Sequence, residues 1–280
     1  MSFGVYDHVN HGVKNSYGVT CTFLKEQITI NYIFDIAYQA YNQKDYIVHI
    51  NRKQFFLNKE EPKEILDVLA LRCAALIYPL QLHISKFGFN YKLFNFKEIQ
   101  ERFNEQLPNI QREFTGEVTD AYFAEIKKSV SNESIFTERL KSDFLYALFF
   151  YGLPVAYQYK PIQDNYQVNI PIHPYQSEAF FVGMQTLKKV ENIHDVTFKG
   201  SDEKGNTLLL HHLVEKQSLT PLRIEMYYNK ELDSEINCSI VQLKERKEDN
   251  ISFSNKNGKV IEGKQKKQKK DNWFSNLFKI

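Results

Sequence analysis

The stretch "LRIEMYY", residues 222–228, decides the fold class of this chain. Large apolar or aromatic side chains stand at every second position, at Leu222, Ile224, Met226 and Tyr228. Because successive side chains of a strand point to opposite faces of a sheet, this alternation predicts a strand with one buried face and one face in water. Such a strand is typical of an antiparallel sheet, whereas the strands of a parallel sheet are apolar on both faces.

The same alternation recurs on both sides of this stretch. It runs from Tyr166 to Ile172 and from Ile236 to Ile240. Sequences rich in glycine, asparagine and charged residues, such as "GSDEKGN" and "NKNG", separate the alternating segments and indicate turns. We therefore predict that the chain is almost entirely β-structure from about residue 154 to about residue 262.

The N-terminal third is expected to contain strands on both sides of one helix. The helix lies in "KEEPKEILDVLALRCAALIYPL", residues 59–80, where apolar residues recur every three or four positions and Pro62 fits the first turn. β-Branched and aromatic residues indicate strands in "YGVTCTFL", "QITINYIFDIAY", "DYIVHINR" and "QFFLN" before it, and in "LQLHISKFGFNYKLFNF" after it.

Three further helices are expected in the middle of the chain. Asn95 is placed to cap the first of them, with Glu98 at its third position, and Pro108 should kink or split it. The third is marked by apolar residues from Ile135 to Leu148 and is expected to end near Gly152-Leu153-Pro154. Phenylalanines recur through this block at helical spacing, which favours a packed core over a ligand pocket: Phe96, Phe103, Phe114, Phe123, Phe136, Phe144 and Phe149.

These segregated blocks predict an α+β protein. We expect mostly antiparallel sheet, a central block of about three helices, one earlier helix and a flexible basic C-terminal tail. The globular body is expected over residues 1–262, with 1–95 and 96–262 as candidate sub-domains. A basic linker over 263–271 and an amphipathic docking peptide over 272–280 complete the expected organisation.

The sequence contains no motif that indicates catalysis. It has no G-x-S-x-G nucleophile elbow, no glycine-rich phosphate-binding turn and no zinc-type cluster. His8 and His11, with Asp7, are weak candidates for half of a metal site, and a polar loop is the favoured interpretation. His211 and His212 are adjacent in an expected strand, so one should be buried and the other exposed. We therefore expect no catalytic residues and no cofactor, and favour a protein that is not an enzyme.

Cysteine usage and hydropathy bear on the compartment. Cys21, Cys73 and Cys238 are far apart and odd in number, which favours reduced, buried thiols in a cytoplasmic protein. The first residues, "MSFGVYDHVNHG", lack the basic and apolar regions of a secretory signal. The most apolar stretch, from Phe144 to Tyr157, is too short to span a bilayer. A cytoplasmic location is therefore expected.

The C-terminal segment "KQKKQKKDNWFSNLFKI" is the main sequence signal for function. The chain has a net charge of +2, yet residues 259–280 hold seven lysines against two carboxylates, so the tail is basic and the body mildly acidic. Five lysines are expected to form an electrostatic tether: Lys264, Lys266, Lys267, Lys269 and Lys270. On a helix the apolar residues that follow fall on one side, and these are the expected partner-binding residues: Trp273, Phe274, Leu277, Phe278 and Ile280.

A short amphipathic segment of this kind becomes ordered only against another surface. A groove on a partner protein is the favoured surface, because an apolar peptide on an extended basic leash is a common tether. The alternatives are the protein's own body and an anionic membrane surface, which the lysines would attract and the aromatic residues would enter. A nucleic-acid partner is disfavoured because the body has no excess of basic residues.

Two stretches, "GFNYKLFNFKEIQERFNEQLPNIQREFTGEV" at 88–118 and "LKSDFLYALFF" at 140–150, resemble a group of uncharacterised Bacteroidota proteins. The elements that carry the resemblance are Gly88, Asn95, Glu98-Ile99, Gly116 and Asp143. Some members of the group are similar to products encoded near contractile injection (type VI secretion) genes. The resemblance covers about a quarter of the chain, implies no catalytic residue, and implies an adaptor, chaperone or structural accessory of a secretion machine.

The sequence thus favours a non-enzymatic interaction protein, an adaptor or structural accessory subunit of a larger assembly. Its expected partners are proteins of that assembly. One alternative is an enzyme or small-ligand carrier with a pocket between helices and sheet. The other is a peripheral protein held at a membrane surface by the basic, aromatic tail.

Overall fold

The structure is a computed structural model, and it describes residues 14–42, 45–85, 91–143, 145–150, 161–172, 179–218, 220–230 and 234–243. Met1–Lys244 form one compact unit, and Glu245–Ile280 form a second unit that contains none of the described residues. All the elements below belong to the first unit.

Eleven antiparallel strands form one sheet. Their order across the sheet is β5-β4-β3-β2-β1-β11-β10-β9-β8-β7-β6, so the first described strand pairs with the last described one near the middle of the sheet. The strands are β1 (Lys14–Phe23), β2 (Ile28–Ala40), β3 (Asp45–Leu57), β4 (Leu80–Ser85), β5 (Tyr91–Leu93), β6 (Ile162–Ile170), β7 (Ala179–Val190), β8 (Ile193–Ser201), β9 (Thr207–Glu215), β10 (Pro221–Lys230) and β11 (Ser234–Leu243).

Four helices interrupt this order of strands in the described part of the chain. α1 (Ile65–Ala75) lies between β3 and β4, and three others lie between β5 and β6: α2 (Phe96–Glu113), α3 (Glu117–Val130) and α4 (Glu133–Lys141). Residues 145–150 are helical as well. The expected α+β fold class, with mostly antiparallel sheet, one early helix and a central helical block, is confirmed.

One face of the sheet, here called the core face, carries the hydrophobic core. Tyr17 and Phe34 are buried on it, and the ring of Phe149 packs against both, at centroid distances of 5.1 and 5.5 Å. The 145–150 segment therefore lies on this face. Burial of this one face explains the alternation in the sequence, because every second residue of a strand points into the core.

The phenylalanines at helical spacing pack as expected. Phe103, Phe123, Phe136 and Phe149 are buried in the single core cluster, and Phe96 and Phe114 pack against it. The packed-core interpretation is confirmed for these six, and the side chain of Phe144 lies outside the described residues.

Two expected boundaries near the first helix are wrong. Pro62 does not lie in the first turn, because Glu64 is still extended and α1 begins only at Ile65. The stretches "DYIVHINR" and "QFFLN" are one continuous strand, β3, of 13 residues. Gln54 adopts a φ of 54° within this strand, next to the register shift of its pairing with β2, so the strand passes the irregularity without ending.

The helices after residue 95 also depart from expectation. α2 continues through Pro108, so this proline does not split it. Asn95 is the N-cap of α2, but its side chain makes no capping bond. Instead its Oδ1 accepts a hydrogen bond from the Gln81 N–H (2.9 Å) and its Nδ2 donates to the Pro79 carbonyl (2.9 Å). The side chain therefore joins the helix start to the strand β4.

The last expected helix is divided in two. α4 ends at Lys141, and helical structure resumes at residue 145. The Asp143 carboxylate accepts a hydrogen bond from the Leu145 N–H at 2.9 Å, in the manner of a side chain that starts a new helical turn. The expectation of one unbroken helix from about Ile135 is therefore wrong, and its expected end near Gly152-Leu153-Pro154 lies outside the described residues.

The expectation of three reduced thiols is wrong for one pair. Cys21 and Cys238 are buried and joined by a disulfide, whereas Cys73 is buried and free. The bonded residues are direct partners in the β1–β11 pairing, with Cα atoms 4.2 Å apart, although 217 positions separate them in the sequence. Spacing along the chain could not show this contact.

No helix within the described ranges is long and apolar enough to cross a membrane.

Candidate functional site on the polar face of the sheet

The face opposite the core, here called the polar face, carries a row of polar side chains. The row crosses seven adjacent strands, from β7 through β8, β9, β10, β11 and β1 to β2, and each residue is the direct cross-strand partner of the next. Adjacent strands lie about 4.8 Å apart, so the row presents hydrogen-bonding groups at regular spacing. Its members are Thr186, Thr197, His211, Glu225, Ser239, Thr20 and Asn31.

His211 lies between two carboxylates in the middle of this row. Its Nε2 is 2.9 Å from Oδ1 of Asp195, and its Nδ1 is 3.4 Å from Oε2 of Glu225. The other oxygen of Glu225 is 2.6 Å from the Arg223 guanidinium. Because both ring nitrogens face carboxylate oxygens, neither is left to exchange a proton with a bound molecule. The geometry is that of a structural cross-link between β8, β9 and β10.

A cavity of about 570 Å³ opens at this point on the polar face. Its volume is within the range of small-molecule and side-chain binding pockets. The lining combines hydroxyl, amide and imidazole groups with a few apolar surfaces: Thr20, Thr22, Thr197, Leu209, His211, Glu225, Met226, Tyr227, Asn237, Cys238 and Ser239. Tyr227 and Leu209 are among the exposed large side chains of the protein.

Two lining groups are available for hydrogen bonds. The Asn237 amide and the Ser239 hydroxyl are half-buried, and no side chain or backbone group of the described residues bonds to either. By contrast, the neighbouring Thr20 hydroxyl accepts from the Asn31 amide at 2.8 Å. An unbonded amide and hydroxyl that face a cavity can bind a ligand without breaking any internal bond.

A buried carboxylate extends the polar face onto β2. Asp35 accepts a hydrogen bond from the Ser16 hydroxyl at 2.7 Å and pairs with Lys53 and Lys14 at 2.7 and 2.9 Å. Burial alone would raise the pKa of Asp35, but the bonds from Lys53, Ser16 and Lys14 outweigh it and hold the pKa below its ordinary value. The carboxylate is therefore ionised at neutral pH and joins β1, β2 and β3.

The charged groups beside the cavity contact one another. Arg223 pairs with Glu225, and the His211 ring lies between Glu225 and Asp195, whereas the two unbonded lining groups, the Asn237 amide and the Ser239 hydroxyl, are neutral. No group of three His, Cys, Asp or Glu side chains in the described part of the chain could hold a metal ion. The site is thus built for neutral hydrogen bonding.

Sequence reasoning found only part of this site. It predicted that His211 and His212 lie on opposite faces, which is confirmed: His212 is buried on the core face and His211 is half-buried on the polar face. It missed Asn237, Ser239 and Tyr227, although they are polar-face members of strands that it identified. The polar positions of each alternating segment were the available signal. They show which residues of one strand share the polar face, but they do not show which strands are neighbours.

The site residues predicted from sequence lie outside the described residues. These are the weak metal candidates His8 and His11, the tether Lys264, Lys266, Lys267, Lys269 and Lys270, and the partner-binding residues Trp273, Phe274, Leu277, Phe278 and Ile280.

Comparison with known proteins gives no relative for this chain. No protein-family model matches it, no curated protein matches it, and no solved structure matches it.

Proposed function

We propose that this protein is a non-enzymatic interaction protein that binds an extended, uncharged segment of a partner protein in the polar-face cavity. The observation that carries the proposal is the pair of unbonded groups, the Asn237 amide and the Ser239 hydroxyl, in the floor of a cavity of about 570 Å³. In this role it is an adaptor or structural accessory subunit of a larger assembly.

The chemistry of the lining supports an extended peptide as the occupant. A side-chain amide offers one acceptor and two donors, so Asn237 can pair with both the C=O and the N–H of a peptide group. Tyr227 and Leu209 stand opposite each other on β10 and β9 and offer exposed apolar surface to a partner side chain. Tyrosine is frequent among the residues that dominate binding energy at interfaces.

The charge pattern disfavours other partners at this surface. Nucleic acids bind through an excess of Lys and Arg, whereas the salt bridges beside this cavity contain one arginine, Arg223, and two carboxylates, Asp195 and Glu225. General acid–base catalysis needs a titratable group with a free position, and the ring nitrogens of His211 both face carboxylates.

A photo-cross-linking experiment tests the proposal. A photoreactive phenylalanine analogue replaces Tyr227 in the full-length protein, and Tyr122 on α3 is the matched control, because both tyrosines are 36% exposed. In the native cells, the analogue at 227 should give one protein adduct of defined mass whose linked peptide is uncharged. The analogue at 122 should not give that adduct.

A second substitution makes the test specific for the proposed contact. Asn237→Ala should abolish the adduct at 227 without changing thermal unfolding, because the amide bonds to no described group. Equal labelling from both positions, labelling that persists in N237A, or an adduct with a glycan or lipid in place of a protein would overturn the proposal.

The C-terminal peptide remains a proposed second contact with the same assembly. Its aromatic residues would bind a groove of a partner while the lysine tether stays solvated. The resemblance to proteins encoded near type VI secretion genes makes a contractile injection system a candidate for the assembly. A membrane role is the alternative for this segment, and co-sedimentation with anionic vesicles that depends on Trp273 would favour it.

A cytoplasmic location also remains a proposal, and the Cys21–Cys238 disulfide weighs against it. Disulfides persist in oxidising compartments and are rare in the cytosol. Mass spectrometry of the protein alkylated in intact cells would decide whether the two thiols are bonded there.

A further inference from the structure

Arg52 on β3 is surrounded by aromatic rings on the core face. Its guanidinium carbon lies 5.2 Å from the ring centroid of Tyr78, 5.5 Å from that of Phe55 and 5.6 Å from that of Tyr32. Arg52 is half-buried and pairs with Phe34 in the register of β2 and β3. Stacking on aromatic faces stabilises a guanidinium, but it leaves the N–H groups in its plane unused.

The guanidinium of Arg52 has no hydrogen-bond acceptor among the described residues. Each of the other five described arginines has one: Arg72 bonds to Glu113, Arg139 to Glu125, Arg223 to Glu225, Arg112 to Asn109, and Arg102 to three backbone carbonyls. A half-buried guanidinium without an acceptor is costly, since its N–H groups have lost part of their water and gained no hydrogen bond in exchange. Arg52 is therefore the one arginine among the described residues whose guanidinium bonds to no acceptor at all.

Two tyrosine hydroxyls lie beside this arginine. The Tyr78 and Tyr146 hydroxyl oxygens are 2.8 Å apart, so one hydroxyl donates to the other. The accepting hydroxyl keeps its own proton for a further acceptor. The cluster thus offers a hydroxyl donor in addition to the guanidinium donors.

Asp143 is a carboxyl group that acts on Arg52 without bonding to it. Asp143 interacts with Arg52 through its charge but forms no ion pair with it. Burial raises the pKa of Asp143, although the Leu145 N–H and the Arg52 charge act in the opposite direction. Burial thus disfavours the charged form of a carboxyl group that interacts with Arg52.

The loop that carries Tyr78 is held in place by side chains outside the cluster. Arg102 donates to the carbonyl oxygens of Leu76 (3.0 Å), Ile77 (3.1 Å) and Pro79 (3.1 Å). Asn95 donates to the same Pro79 carbonyl at 2.9 Å. Binding sites need such support, because donors that are already fixed lose little entropy when a ligand binds.

We propose that Arg52, together with the Tyr78–Tyr146 hydroxyl pair, binds the oxyanion of a small molecule, either a carboxylate or a phosphate group. A planar guanidinium matches both groups, because two parallel N–H donors can bond two oxygens of one anion. The aromatic rings around it would contact the apolar part of the same ligand. This site is on the core face and is independent of the polar-face cavity, so either can fail alone.

Isothermal titration calorimetry of the full-length protein tests the site with two probes, inorganic phosphate and acetate, each at constant ionic strength set with chloride. We expect saturable binding of at least one probe with one site per chain. Arg52→Met should weaken this binding by tenfold or more, and Arg52→Lys by about tenfold, because a lysine keeps the charge but not the bidentate fork. Arg139→Met, at a half-buried arginine on α4 that pairs with Glu125, is the matched control and should bind as the wild type does.

The two probes separate the two chemical sources. Phosphate binding alone would identify a phosphate ligand, and acetate binding alone a carboxylate ligand. If R52M fails to fold, the binding of the probes to R52K and to Tyr78→Phe tests the site instead. Tyr78→Phe keeps the aromatic ring and removes one hydroxyl. Absence of saturable binding of both probes to the wild type would overturn the proposal, as would wild-type binding by R52K together with Y78F.

Discussion

Cys21 on β1 and Cys238 on β11 lie directly opposite each other and form a disulfide across the middle of the sheet. The bond joins the first of the described strands to the last, over a sequence separation of 217 residues. Both half-cystines are buried on the core face, beside Val19 and Ile240. The disulfide therefore cross-links β1 and β11, the two strands at which the halves of the sheet meet.

Reduction of this disulfide should lower the free energy of unfolding by as much as about 5 kcal/mol, the chain-entropy value for so long a loop. Urea unfolding with and without dithiothreitol measures the effect. The double variant Cys21→Ala/Cys238→Ala should not respond to the reductant, whereas Cys73→Ala should respond as the wild type does, because Cys73 is free. An unchanged wild-type midpoint in reductant would contradict this prediction.

His212 should make stability depend on pH. It is buried on the core face with Nε2 3.0 Å from the Leu148 carbonyl oxygen. Burial lowers its pKa from 6.5 to about 4, although the bond to Leu148 acts in the opposite direction. The unfolded chain thus takes up a proton at higher pH than the folded protein. The contribution of His212 to the free energy of unfolding is complete above pH 6.5. It is lost as the pH falls toward about 4, by up to ~1.4 kcal/mol per pH unit.

Urea unfolding across this pH range checks the prediction. His212→Gln should flatten the pH dependence, because glutamine does not titrate and its amide can still donate to the Leu148 carbonyl. His49→Gln is the control, since His49 lies on the polar face and bonds to Gln39 at 2.9 Å. Identical slopes of the free energy of unfolding against pH for wild type and H212Q would exclude burial of this histidine as the cause of the pH dependence.

Gly183 should not tolerate a side chain. It faces Gly200 in the β7–β8 pair, and a Cβ on it would lie 2.7 Å from the Lys199 carbonyl carbon, which is backbone and cannot move aside. Gly183→Ala should therefore destabilise the protein by more than about 2 kcal/mol in urea unfolding. Gly18→Ala is the matched control, because its Cβ would meet only the end of the Leu243 side chain, at 3.3 Å, and should cost less than about 1 kcal/mol. Equal losses would show that the close backbone approach is not the cause.

The strands and their buried faces could be predicted because they depend on local alternation. Ile224 and Met226 are buried and Glu225 between them is on the polar face, as the pattern of "LRIEMYY" requires. Helix boundaries were less predictable, because the break at Asp143 depends on one hydrogen bond from the Leu145 N–H. Periodicity continues across such a break and cannot reveal it.

The site could not be predicted, since it depends on which strands become neighbours. Ser239 and Thr20 stand opposite each other only because β11 pairs with β1, from the two ends of the described chain. Arg52 meets Tyr78 because the loop after α1 returns to the sheet and is held there by Arg102. No spacing in the sequence records either contact. The alternation along each strand could indicate only that one face of the sheet is polar.

The C-terminal segment should be dispensable for the fold and necessary for the partner. A chain that ends at Gly263 lacks the lysine tether and the aromatic residues, while the described strands end at Leu243. We expect it to keep the thermal midpoint of the full-length protein and to lose most of the partner adduct at position 227. Alanine at Trp273 and Phe278 should have the same effect as truncation, whereas glutamine at the five tether lysines should weaken binding mainly at low salt. A truncated chain that melts at lower temperature would mean that the segment closes the protein's own core, and the partner-binding role would be lost with it.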